Sequence, residues 1–155
     1  MKRYPADILW VVRRKDIFVL ILTDEICDKL CAAASKKSRE IGIDISFAIS
    51  DENGLPRVYR RYGKALVLSI TLVPGKAYTS AVTQCKTEDV ASAAAEGASL
   101  MAIQTNDPRI TLVAGGYPLF VNGEIASGIG VGGGTKEQDC EIAEYVVSVF
   151  ESLIC

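Results

Sequence analysis

The sequence predicts an α+β domain in which helices cover an antiparallel sheet, and three observations carry that prediction. Helix-like and strand-like segments interleave without the strand–helix–strand rhythm of a parallel sheet. Two turn signals, Asp51-Glu52-Asn53-Gly54 and Asn122-Gly123, sit between alternating or apolar runs, where hairpins place them. The stretch Ala114 to Asp139, AGGYPLFVNGEIASGIGVGGGTKEQD, reads as strand, tight turn, glycine-studded strand, triple-glycine loop and capped helix.

Residues 1–22 are β-branched and aromatic enough to favour strand. They read as an N-terminal extension, either two short strands about Arg13 to Asp16 or an arm packed on a neighbouring subunit. Residues 23–155 are expected to form one domain. Thr23 is placed to N-cap a helix with Asp24 and Glu25 in its first turn. An apolar stripe follows at Ile26, Cys27, Leu30, Cys31 and Ala34, and Gly42 closes the helix. Ile43, Ile45, Phe47 and Ile49 alternate with polar or small residues as a half-buried strand does, and the turn at Asp51 to Gly54 returns the chain into a strand near Arg57 to Tyr62. Leu66 to Val73 reads as a short helix ended by Pro74-Gly75. Because an interior proline costs about 3 kcal/mol, a new helix is predicted from Pro74 to about Gln84. Thr87 is expected to cap an alanine-rich helix ending near Gly97; residues 98–108 form an irregular connection, and Arg109 to Ala114 return to strand. Beyond Asn122-Gly123, the period of two sends Ile125, Ser127, Ile129 and Val131 to one face and Ala126, Gly128, Gly130 and Gly132 to the other. The second face is nearly bare backbone, so a helix, a ligand or another subunit approaches it closely. Thr135 and Gln138 form the capping box of a last helix running to about Glu151.

Composition narrows the function. The chain has 155 residues, 49% hydrophobic and 23% charged, as in ordinary globular domains. With a net charge of −2 and basic residues scattered apart from 13–15 and 57–61, it lacks the footprint of a nucleic-acid binder. The apolar runs 8–12 and 17–22 are separated by charge and too short to span a membrane. Five cysteines without framework spacing and no recognisable signal peptide point to a reducing cytoplasm. There is no histidine, which removes the commonest general base and the commonest haem ligand.

Gly128-x-Gly130-x-x-Gly133 satisfies a dinucleotide fingerprint, but only one helix follows it, so the required βαβ unit is missing. A Walker A loop fails because Lys136 follows Thr135. Two readings of Gly132 to Gly134 stand: an anion site at a helix N-terminus, or a sharp strand-to-helix turn whose amides the capping box satisfies. Cys27 and Cys31 are read as buried small apolar residues rather than metal ligands. Glu88, Asp89, Glu137 and Asp139 lie at helix starts, where the dipole alone accounts for them. Lys76 and Tyr78 are placed to point into a pocket, although a solvated lysine is the default.

The run GGYPLFVNGEIASGIGVGGGTKEQD, together with ISDENGLPRVYRRYGKA, PGKAYTSAV and CKTEDVASAAAEG, resembles the GlcG-like, or haem-degrading-domain, family. That family includes the C-terminal domain of PduO-type corrinoid adenosyltransferases and small proteins encoded beside diol and glycerol utilisation genes. The resemblance covers about residues 22–152. It implies a profilin-like three-layer fold, homo-oligomers, and for some members binding of haem or a related tetrapyrrole (corrinoid included). The ligand-binding residues it implies are Arg61, Lys76, Tyr78, Thr79, Gly115, Gly116, Tyr117, Pro118, Gly128, Gly130, Gly133, Gln138 and Asp139. Members that use an axial histidine have no counterpart here, so iron would need a Cys, Tyr or Met ligand or remain without a strong one. Three functions follow: a homo-oligomeric accessory protein with a small-molecule pocket beside the glycine hairpin, a haem-degrading enzyme in which Lys76, Tyr78 or Arg61 orients substrate, or an assembly protein without a ligand.

Overall fold

Two β-hairpins join side by side to build the sheet in the computed structural model, which describes residues 22–155. The strand or arm expected over residues 1–22 lies outside the described residues except for Leu22, which is buried in the main core. Strands β1 (Ser46–Asp51) and β2 (Pro56–Arg61) form the first hairpin, and β3 (Gly116–Val121) and β4 (Glu124–Gly132) the second. Pairing of β1 with β4 gives the order β2-β1-β4-β3, and every pair is antiparallel. No βαβ unit exists among the described residues, so the dinucleotide fingerprint has no scaffold. Both turns fall where the sequence places them. Asp51 Oδ1 accepts from the amides of Asn53 and Leu55, and Asn122 and Gly123 have φ of 51° and 79°, both positive as a type I′ turn demands.

Helices α1 (Asp24–Ile41), α2 (Ser69–Thr83), α3 (Thr87–Ala93), α4 (Ile103–Asn106) and α5 (Lys136–Ile154) complete the element order. Helices α1 and α5 bury their apolar stripes on one face of the sheet, and α2 lies on the other, the three-layer α+β arrangement expected. On the first face Phe47, Ile49, Leu119, Ile129 and Val131 meet Leu30, Cys31, Ile142, Val146 and Phe150. Cys27 and Cys31 are buried there, and burial pushes the Cys31 thiol up to about 11. Thr23 and Thr135 cap α1 and α5, the latter through the complete capping box, and Gly42 ends α1 in the left-handed region. None of the described helices is long and apolar enough to cross a membrane.

Four local expectations are corrected. Pro74 does not begin a helix: α2 runs unbroken through it from Ser69. Loss of one amide is offset because the helix face carrying Val73, Ala77 and Ala81 is seated on the sheet, and packing rather than propensity holds a helix in a protein. Thr87 is not a cap; it is the first residue of α3, and its buried hydroxyl accepts from the Gly116 amide at 2.9 Å. That helix ends at Ala93, well before Gly97. Residues 109–114 are not a strand; the Thr111 amide is taken by the Thr79 hydroxyl at 2.8 Å, so a helix side chain replaces a neighbouring strand. Finally, the strict alternation of β4 breaks at its start. Leu119 faces Ser127 and Phe120 faces Ile125, so Ala126 is an extra residue in a bulge and joins the main core with Ile129 and Val131.

Candidate functional site

The glycine face of β4 is closed by α2. A Cβ on Gly128 would lie 2.2 Å from the Ala77 carbonyl oxygen, and one on Gly130 would lie 2.3 Å from that of Val73. The backbones of helix and strand therefore touch, which only glycine permits. Serines stitch this layer: Ser50 Oγ donates to the Ala77 carbonyl at 3.0 Å, and Ser80 Oγ to that of Ile129 at 3.3 Å. The cover is neither a ligand nor a second subunit but a helix of the same chain.

Lys76 is the charged group this helix brings to the sheet, and it is not solvated. Its side chain is fully buried, and Nζ donates to the Val131 carbonyl at 2.6 Å and to Asp139 Oδ2 at 3.0 Å. Asp139 Oδ1 accepts from the Gly134 amide at 3.0 Å. Burial pushes the Asp139 carboxyl up, against the pull of Lys76 and that amide. Asp139 is thus more than a dipole partner: it ties α5 to α2 across the end of the sheet. The amides at the start of α5 are used internally, Thr135 donating to Gln138 Oε1 and Gln138 to Thr135 Oγ1. The turn-and-cap reading of the triple glycine accounts for them.

Two cavities flank the N-terminal half of α2. The larger, about 840 Å³, lies between α2, the β1–β2 hairpin and residues 104–113; its walls are mainly Leu55, Pro56, Val58, Leu72, Ile110 and Leu112. The smaller, about 380 Å³, opens over the Lys76–Asp139 pair and Gly132 to Gly134. Of the ligand-binding residues the resemblance implies, only Tyr78 lines the larger cavity, and Lys76, Gly133 and Asp139 line the smaller. The others line neither. Arg61 is exposed, with Nε donating to the Ala65 carbonyl at 2.7 Å. Thr79 serves the 109–114 segment, and Gly115 and Gly116 pack against Lys76. Tyr117 is buried and donates to Glu144 at 3.0 Å, its phenol pushed up by burial and by Cys140 and Glu144 beside it. Pro118 pairs opposite Gly128, those glycines lie under α2, and Gln138 is the cap.

A polar cluster at the larger cavity escaped the sequence reading. Tyr78 donates its hydroxyl to Asp107 Oδ2, and Arg109 stacks its guanidinium 4.4 Å from the Tyr78 ring centroid. Asp107 also accepts from Arg109 Nε and Nη2, both at 2.9 Å, and from the Arg109 amide at 3.0 Å. These bonds hold the Asp107 carboxyl well below the usual carboxylate range, the Arg109 side chain contributing most. Burial and Asp107 in turn push the Tyr78 phenol up. The Asp107-Pro108 dipeptide was the available signal, since Asp before Pro initiates turns through its side chain.

A three-layer domain with a glycine-floored helix seat, a buried lysine–aspartate tie and an apolar cavity beside that helix places the chain among small α+β domains of helices on an antiparallel sheet. Residues 22–148 match the family model described as "Haem degrading protein HbpS-like". The chain belongs to this HbpS-like family. It is 33% identical over 136 residues, 87% of its length, to a 15.0 kDa protein from the dhaT–dhaS intergenic region of Citrobacter freundii, and covers 96% of that protein. It is 32% identical over 148 residues, 95% of its length, to the corrinoid adenosyltransferase PduO of the same organism, but spans only 44% of that longer protein. Among solved structures, protein ORFY of Klebsiella pneumoniae superposes with a TM-score of 0.81 at 30% identity, over 84% of this chain and 91% of that one. The PduOC:heme complex superposes with a TM-score of 0.78 at 27% identity, over 82% and 93%.

Proposed function

We propose that this protein holds a flat apolar ligand, haem or a related tetrapyrrole, in the larger cavity and works as a homo-oligomeric accessory protein. The observation that carries this reading is the cavity itself: at about 840 Å³ and with apolar walls, it falls in the range of small-molecule sites, roughly 300–1,000 Å³. Similarity to the structure of a heme complex supports the choice of ligand class. The residues present fit the macrocycle rather than its metal. No histidine exists in the chain, and among the described residues Tyr59 and Tyr78 are the only ones lining the cavity of a type known to ligate haem iron. Both phenols are engaged, Tyr59 with Ser46 at 3.1 Å and Tyr78 with Asp107. The ligand is therefore held by its faces and edges. Association of copies is supported by the run Leu66, Val67, Leu68 and Ile70 beside the cavities, each 62–78% exposed, since such patches mark interaction surfaces.

Titration of the pure protein with haemin tests this reading. Saturable binding at micromolar ligand is expected, with a shifted Soret band that lacks the signature of two strong axial ligands. An absorbance that rises linearly without saturation removes the tetrapyrrole assignment. Sedimentation equilibrium reads the assembly, and a monomer at all concentrations removes the oligomer.

A further inference from the structure

We propose that Arg109 sets the specificity of the larger cavity by binding a carboxylate at the edge of the ligand, which selects carboxylate-bearing tetrapyrroles over carboxamide-bearing corrinoids. This rests on the tetrapyrrole reading above. Among the described residues that line the cavity, Arg109 alone carries a charged side chain. Its side chain is 69% exposed and stands among mainly apolar lining residues, so a ligand that is apolar in its body and anionic at one edge matches this lining.

Its geometry is preset. The Tyr78 ring supports one face of the guanidinium, and Asp107 takes one N–H from Nε and one from Nη2. A guanidinium has five N–H groups, so three remain, two of them on Nη1. Asp107 accepts four hydrogen bonds on its two oxygens and has little capacity left to repel or compete. The Arg109–Asp107 pair is neutral as a unit. Selection therefore comes from directed, charge-assisted N–H···O bonds at short range rather than from long-range attraction. A carboxamide edge accepts a hydrogen bond but supplies no charge, and an esterified edge supplies neither charge nor a second equivalent oxygen.

Metal-free protoporphyrin IX, its dimethyl ester and cyanocobalamin separate these terms without any contribution from iron ligation. Fluorescence titration of the full chain is expected to show protoporphyrin IX binding about tenfold tighter than the dimethyl ester, the scale of a charged hydrogen bond, and cyanocobalamin weaker than both. Arg109→Gln is expected to bring acid and ester within about twofold, the residue of a neutral hydrogen bond. Arg57→Gln, on a strand edge outside the cavity, should leave the preference intact, and circular dichroism checks that each variant is folded. Equal, saturable binding of acid and ester to the unaltered protein overturns the role of Arg109 while leaving the tetrapyrrole reading in place. An equal loss of both ligands in Arg109→Gln overturns it too, by making the residue a wall. Failure of every porphyrin to bind removes this inference together with the reading on which it rests.

Discussion

The two faces of the sheet solve the same packing problem in opposite ways. Against α1 and α5 the sheet offers large side chains, Phe47, Ile49, Leu119 and Ile129, and the layer is filled by volume. Against α2 it offers Gly128, Gly130, Ala48 and Ser50, and the layer is filled by backbone. The first face is stabilised by apolar area removed from water. The second brings helix and strand into contact and relies on serine hydroxyls and one buried ion pair to satisfy what that contact encloses. A face of the first kind tolerates loss better than gain only by degree; a face of the second kind has no room for gain at all.

The largest expected effect breaks the second face. In Gly130→Val the new side chain meets the Val73 carbonyl and the Ala77 amide, both backbone, so neither can swing away. The variant is expected to be insoluble or to lack a cooperative thermal transition in circular dichroism; a melting temperature within a few degrees of the parent would falsify the backbone-contact account. On the first face Phe47→Ala leaves a cavity instead of a clash and should cost about 3–5 kcal/mol in urea unfolding while the protein still folds. If the two variants lose equal stability, the contrast between the faces is wrong.

Lys76→Met sharpens the comparison, because it strands Asp139 as an uncompensated buried carboxylate. The expected loss is about 3–5 kcal/mol, and adding Asp139→Leu should restore most of it, since a buried ion pair contributes little beyond an apolar substitute. No recovery in the double variant indicates that the tie between α2 and α5 depends on charge for more than its own neutralisation.

The smallest effect lies on the outer side of α2. Asp107 has a depressed folded pKa, so its bonds to Arg109 and Tyr78 contribute stability above the ordinary carboxylate range, and that contribution is lost as pH falls through the folded value. The stability difference between the parent and Asp107→Asn is therefore expected to be flat from about pH 5 to 8 and to shrink below about pH 4, near the unperturbed carboxylate value. A difference that grows on acidification would assign Asp107 the opposite sign.

Legibility in the sequence followed the same division. The apolar stripe of α1, both hairpin turns and the capping box of α5 each obey a local rule, and each stands where the sequence places it. Strand β1 begins only at Ser46 and is buried on both faces rather than half-buried, because α2 covers the side that carries Ala48 and Ser50. Pro74 and Thr87 broke their local rules because distant partners overrode them: the sheet seats the helix through the proline, and Gly116 claims the threonine hydroxyl. The site was less legible still. Arg109, Asp107 and Tyr78 are brought together by a connection without periodicity, and Lys76 lay in plain sight but its partner was 63 residues away.

The sequence by itself determined the α+β class, the positions of the hairpins, the helix caps and the requirement that something approach the glycines of β4 closely, because turn geometry, capping and side-chain period are properties of neighbouring residues. Only the tertiary structure decided that α2 is what approaches, that Lys76 pairs with Asp139 and Val131, and that the larger cavity lies between that helix, the first hairpin and residues 104–113, with Arg109 in its lining. Those outcomes depend on which distant backbones and charges come into contact, and no local pattern encodes a contact.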